Sequence, residues 1–189
     1  MGTDILDREL IENKFETLVL KSQDYIDTRN EGELTSLRND LIHLRLKLET
    51  AIENNGQRLN NVIALKLMLS IIHKFTCSVK LMENLKSKTP LFREFDTKRM
   101  LDILLPHLKA LAECDKWFEK LDTKKLEEDC AFIESLEDQH KRVLLTYVIQ
   151  DWHNIDEVFN LLKIGEIYKN IAEKLVNLSL ISNYSQKNQ

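Results

Sequence analysis

Apolar residues recur at helical spacing along almost the whole chain, and the most apolar run is NNVIALKLMLSIIHKFTC at residues 60–77. A helix drawn through this run, about residues 58–86, has its polar residues at alternating steps of four and three. These steps place them in one narrow stripe, formed by Lys66, Ser70, His73, Cys77, Lys80 and Asn84. The rest of the helix surface is apolar, which predicts a central helix covered over most of its circumference.

The same run is interrupted too often for a membrane span. A transmembrane helix needs about 20 mostly apolar residues. Lys66 lies early in the run, and His73 and Lys74 close it. We therefore predict no transmembrane segment, and the apolar surface is expected to face other helices of the chain or a partner.

The segment before the central helix has the most regular leucine pattern in the chain. Its apolar residues follow steps of three and four, as on one side of an amphipathic helix, and Gly56 can end that helix. They are Leu34, Leu37, Leu41, Leu44, Leu48 and Ala51. A further helix is predicted before it, over about 4–28.

Four more helices are predicted after the central one. Pro90 indicates a short helix at its start, and the next runs over about 96–121, where Pro106 should bend or divide it. Another begins near 122 and ends near residue 139 or 152. The last begins at Asn154, with Glu157 in capping-box spacing, and Gly165 weakens its middle.

This pattern predicts an all-α fold. Only four glycines and two prolines occur in 189 residues, too few for the many tight turns of a β-sandwich. We expect an irregular bundle of five to seven helices around the central buried helix at about 58–86. It forms a single domain over residues 1–182 that could divide near 87–97, followed by a frayed tail at 183–189.

Charge adds one candidate surface. The net charge is −4, but residues 74–99 hold seven basic and three acidic side chains. A positive surface there could contact nucleic acid or anionic lipid; alternatively, lysines near the end of the central helix complement its dipole. The residues proposed for this anionic contact are Lys86, Lys88, Arg93, Lys98 and Arg99.

Three aromatic residues are candidates for protein binding. Phe92 and Phe95 lie three apart on the short helix, where they either meet a partner or pin the helix to the core. Trp117 is one step out of phase with the apolar side of its helix, so it either anchors an interface or lies under a neighbouring helix. Trp152, in phase with Leu145, Val148 and Ile149, is expected in the core.

No set of residues in the sequence predicts catalysis or a bound cofactor. Two carboxylate–histidine pairs have the three-residue spacing seen at di-metal sites, namely Glu137 with His140 and Asp40 with His43. A di-metal site in a helical bundle needs more ligands than these, including a carboxylate from each of two further helices. We interpret these four as surface or half-buried polar residues. Acidic neighbours of Cys114 and Cys130 should raise their thiol pKa values, and Cys77 is expected to be structural.

The number of cysteines is odd and no CxxC pair occurs, which favours a reducing, intracellular location in cytoplasm or nucleus. The sequence favours a non-catalytic helical interaction module or subunit of a multi-protein assembly. The alternatives are a module that binds nucleic acid or anionic lipid through 74–99, and a helical enzyme whose active site is assembled from distant residues.

Overall fold

The computed structural model describes Lys21 and residues 31–54, 59–85, 97–112, 121–150 and 155–187. These residues form five helices and no strand, which confirms the prediction of an all-α bundle. The helices are α1 (Glu31–Asn54), α2 (Leu59–Glu83), α3 (Thr97–Ala112), α4 (Thr123–Gln150) and α5 (Ile155–Lys187). The predicted short helix after Pro90 lies outside the described residues, as does the helix over 4–28 apart from Lys21.

The five helices share one hydrophobic core. α2 lies between α1 and α5, while α5 also packs against α3 and α4, and α3 packs against α4. The central helix predicted at about 58–86 is therefore confirmed as α2. The last helix is equally central, because it contacts three of the other four described helices.

The polar stripe of α2 is where the sequence places it. Lys66, His73, Lys80 and Asn84 are exposed, and Ser70 and Cys77 are half-buried. The fully buried residues lie on the other sides, among them Ala64, Met68, Ile71, Ile72, Val79 and Met82. The seam of α1 is likewise buried at Leu37, Leu41 and Leu48. The periodicity of both helices thus identified their inward sides.

One segment in the described part of the chain, Val62–Met82, is long and apolar enough to cross a membrane, with a mean hydropathy of 1.6. The core helix of a bundle meets the same criterion of length and composition. In this structure 44% of the segment is buried against its neighbours.

The helix boundaries follow local chemistry. The Asp122 carboxylate accepts a hydrogen bond from the Lys125 backbone N–H at 3.1 Å, which caps the first turn of α4. α4 continues to Gln150, close to the later of its two predicted ends. α3 is not divided at Pro106, which lies on the exposed side of the helix, where water can reach the backbone group that lacks a donor. α5 remains helical to Lys187, beyond the predicted domain end at residue 182.

α3, which is the shortest of the five described helices, covers only part of α4. His107 Nε2 lies 2.6 Å from Asp129 Oδ2, and the Arg99 guanidinium carbon lies 5.0 Å from the centre of the Phe132 ring. α3 begins at Thr97, close to this second contact, whereas α4 continues for several turns past Phe132. The second half of α4 therefore packs on α5 without further cover from α3.

Candidate functional site

α4 and α5 form an antiparallel hairpin, and two contacts show its register. Lys169 Nζ donates a hydrogen bond to Glu134 Oε1 at 2.7 Å. Gly165 lies against the next turns of α4, where a side-chain Cβ would be 3.4 Å from His140 Cδ2 and 3.8 Å from Glu137 Cγ. Rising numbers on α4 thus oppose falling numbers on α5, which places residue 145 opposite about 159.

The packed end of the hairpin lies around these contacts. Glu137 and His140 are 3% and 2% exposed, so the prediction of surface or half-buried positions for them is wrong. Gly165 has no side chain, and this lets α4 and α5 approach closely enough to bury both. Glu137 Oε1 accepts a hydrogen bond from Lys141 Nζ at 2.9 Å, so the buried carboxylate has a cationic partner.

The other end of the hairpin exposes large apolar side chains. Leu145 and Ile149 on α4 are 49% and 86% exposed, and Ile155 and Phe159 on α5 are 38% and 48% exposed. We call these four residues the hairpin patch. Single exposed apolar residues are ordinary, whereas several on one side of one element are typical of an interaction surface.

Helical spacing places the four residues of the patch on one side of the hairpin. Steps of three and four connect Glu134 to Leu145 on α4, and Ile155 and Phe159 to Lys169 on α5. The ion pair between Glu134 and Lys169 joins these two sides. The patch therefore continues, towards the residue 150–155 end, the same face on which the helices are joined by charged side chains.

Two lysines near the patch are already paired with carboxylates. The hydrogen bond with Glu137 raises the pKa of Lys141, and the nearby Glu166 acts in the same direction. The hydrogen bond with Glu134 likewise raises the pKa of Lys169. Both lysines are therefore cationic at neutral pH and held by carboxylates of the same hairpin.

A shallow open depression of about 290 Å³ lies on another side of α4, lined by Arg142, Val143, Thr146 and Tyr147. Val143 is 42% exposed, so apolar surface extends around the second half of this helix. The four residues that line the depression include no buried charged or nucleophilic group. The depression is therefore suited to contact with a partner rather than to catalysis.

Sequence reasoning missed the hairpin patch because it assigned the in-phase residues Leu145, Val148 and Ile149 to the core. The structure leaves Leu145 and Ile149 exposed and Val148 half-buried, so the prediction is wrong for the first two. Trp152, predicted on the same grounds to be buried, lies outside the described residues. The pattern identified a shared apolar side, but it could not show that this side is exposed at Leu145 and Ile149.

Most of the binding residues predicted from sequence lie outside the described residues, namely Phe92, Phe95, Trp117, Lys86, Lys88 and Arg93. Two are described. Lys98 is half-buried, and Arg99 is exposed with its guanidinium over the Phe132 ring. This cation–π contact joins α3 to α4. The anionic-partner surface therefore stays a prediction.

The remaining chemical candidates are dispersed. Asp40 accepts a hydrogen bond from Lys21 at 2.6 Å, and His43 is exposed. Burial raises the pKa of the Cys130 thiol, and Glu173 and Glu134 add to this effect, in the direction predicted from its acidic neighbours. No group of three or more metal-ligating side chains occurs within the described ranges.

No protein-family model matches the chain. No curated protein matches it at a significant level.

Proposed function

We propose that this protein is a non-catalytic helical interaction module that binds a partner protein through the hairpin patch. The observation that carries the proposal is the exposure of Leu145, Ile149, Ile155 and Phe159 on one side of the α4–α5 hairpin, between 38% and 86% of each side chain. Removing apolar surface from water contributes about 25 cal/mol per Å². Covering these side chains would therefore stabilise a complex.

The spacing of the patch favours an amphipathic helix as the bound element. Leu145 and Ile149 are four residues apart, as are Ile155 and Phe159, so each pair presents two successive turns of its helix. Two antiparallel helices form a groove between them, and an amphipathic helix lays its apolar face into such a groove. The proposed partner is thus a protein segment with apolar residues at helical spacing.

Affinity purification with quantitative mass spectrometry tests the proposal. The full chain and an Ile149→Lys/Phe159→Lys variant are used as baits, because lysine in the patch would have to be desolvated in the complex. Leu46→Lys is the matched control, since Leu46 is a 54% exposed residue on α1, away from the hairpin. The expected result is a partner retained by the wild type and by Leu46→Lys, and lost from the patch variant.

Equal unfolding temperatures of the three baits establish that the loss is not due to unfolding. Retention of every partner by the folded patch variant would contradict the proposal. Sedimentation of the purified chain gives a second check. If the wild type is a dimer and the patch variant is a monomer, a second copy of the chain occupies the patch. This result would overturn the proposal that a different protein binds there.

The alternative of an anionic partner at 74–99 stays a prediction from the charge distribution. In the described part of this segment Lys80 is exposed and Lys74 and Lys98 are half-buried. Arg99 already contacts Phe132. The hairpin patch has the stronger support, because its four residues are brought together by the fold.

A further inference from the structure

α2 carries a histidine and a cysteine one turn apart on its polar stripe. Cys77 follows His73 by four residues, so both side chains project from the same side of the helix. Cys77 Sγ and His73 Nε2 are 3.8 Å apart. Cys77 is a free thiol that is half-buried at the edge of the core, and His73 is exposed.

We propose that His73 and Cys77 together bind one Zn²⁺ ion, through His73 Nε2 and the Cys77 thiolate. Zinc lies about 2.3 Å from a thiolate sulfur and about 2.0 Å from an imidazole nitrogen. An angle of about 110–120° at the metal then requires the two ligand atoms to be about 3.5–3.8 Å apart. The observed separation of 3.8 Å falls in this range, so binding requires little movement of either side chain.

The donor set selects the class of metal. Thiolate with imidazole suits Zn²⁺ and other soft or borderline ions, whereas Mg²⁺ and Ca²⁺ prefer oxygen ligands. When the metal binds, the sulfur–metal bond forms as the thiol proton leaves to solvent. Two protein ligands leave two tetrahedral positions to water, so the site is open and binds more weakly than a four-ligand structural site.

The position of the pair also fits a bound ion. Histidines four residues apart on a helix hold zinc in metalloproteases for the same geometrical reason, namely that both donors point to one side. Here the stripe is the exposed side of α2, while the buried sides pack against α1 and α5. A metal can therefore bind without disturbing the core.

Cobalt titration and thiol protection test the site. We would use the full, reduced chain with Cys114→Ser and Cys130→Ser, so that Cys77 is its single thiol. Co²⁺ should produce a thiolate-to-cobalt charge-transfer band, and Zn²⁺ should displace it. Zn²⁺ should also slow the alkylation of Cys77 at least about tenfold, because the metal-bound thiolate is no longer free to react.

Two variants distinguish a metal site from a simple S–H···N hydrogen bond. His73→Asn should weaken cobalt binding at least about tenfold and remove the protection by zinc. Lys80→Glu, on the same stripe and one turn beyond Cys77, should tighten binding, since it replaces a repulsive charge with an attractive one. Mg²⁺ at the same concentration should give no protection.

The proposal fails if Cys77 is alkylated equally fast with and without Zn²⁺. It also fails if His73→Asn is protected as well as its parent, because cysteine alone would then hold the metal. The site is independent of the hairpin patch. Ile149→Lys/Phe159→Lys should bind cobalt as the parent does, so the two proposals can succeed or fail separately.

Discussion

The two ends of the α4–α5 hairpin are built from the same two helices and both have a buried side, with Leu144 and Val158 buried at the far end, yet the two ends differ in how much apolar surface they leave exposed. Around Gly165 the helices bury Glu137, His140 and Tyr168. Several turns further along α4, Ile149 is 86% exposed. Composition alone would rank the two ends the other way, because α4 reads ESLEDQHK at residues 134–141 and VLLTYVI at residues 143–149.

The difference lies in the helices that surround each end. α3 contacts the first half of α4 through Asp129 and Phe132 and also packs on α5. In the second half of α4, α5 supplies the main cover among the described helices. A helix pair can bury only the sides that face each other, so the remaining apolar side chains at the far end stay in contact with water.

The largest expected effect compares two leucines of α4. Leu136→Ala, at a residue 3% exposed, should lower the free energy of unfolding by about 2–5 kcal/mol, through lost burial and a residual cavity. Leu145→Ala, at a residue 49% exposed, should cost less than about 1 kcal/mol. Urea unfolding of both variants measures the difference. Equal losses would show that the patch is part of the core.

A second test uses pH at the packed end. Tyr168 is fully buried, and its hydroxyl forms no hydrogen bond of ordinary geometry with described residues. Burial raises its pKa well above the ordinary 10.0, although the Ser78 hydroxyl acts in the opposite direction.

Below pH 10 the Tyr168 hydroxyl keeps its proton in both the folded and the unfolded state. Above pH 10 the unfolded state releases this proton, whereas the folded state keeps it. The free energy of unfolding should then fall by up to about 1.4 kcal/mol per pH unit through this group. Tyr168→Phe should lack that part of the decline and be at least as stable as the wild type at pH 7. Parallel stability curves above pH 10 would contradict the burial of this hydroxyl.

A smaller effect is expected at Gly165. In Gly165→Ala the new Cβ would lie 3.4 Å from His140 Cδ2, at the near limit of ordinary contact. Alanine favours a helix interior over glycine by about 0.8–1.0 kcal/mol, so we expect a gain of up to about 1 kcal/mol in thermal or urea unfolding. Gly165→Leu should instead destabilise by about 1–3 kcal/mol, because the extra atoms must displace His140. A stabilising leucine would mean that the helices are not closely packed here.

The smallest effect concerns the ion pair that joins the two helices. Glu134 is 56% exposed and Lys169 24% exposed, and exposed pairs of this kind typically contribute about 0.2–1 kcal/mol. A double-mutant cycle with Glu134→Gln and Lys169→Met should give a coupling energy in that range, decreasing as salt is added. A larger, salt-independent coupling would show that the charges, rather than the packing at Gly165, set the hairpin register.

Much of the fold can be predicted from short sequence patterns, because helix periodicity and helix capping depend on residues that are close together in the sequence. The stripe on α2 from Lys66 to Asn84 follows from helix period alone. The cap at Asp122 follows from the unsatisfied N–H groups of a first turn. In each case the residues that decide the outcome lie within one or two turns of each other.

The errors arise where the outcome depends on distant elements. Leu145 and Ile149 satisfy the pattern of a buried side, but both are exposed. The contacts of α3 with α4 lie at Asp129 and Phe132, several turns earlier in α4. Glu137 and His140 look like surface residues until Gly165, far along the chain, brings α5 against them. The 3.8 Å contact of His73 and Cys77 required side-chain positions as well as spacing.

The order of the helices along the chain has a consequence for synthesis. One side of α2 is covered by α5, which is made only after α3 and α4. At ribosomal rates of about 5–20 residues per second, that surface stays uncovered for on the order of ten seconds. During this interval α2 is the segment to which chaperones that recognise apolar helices should bind, and they should release it once α5 has emerged.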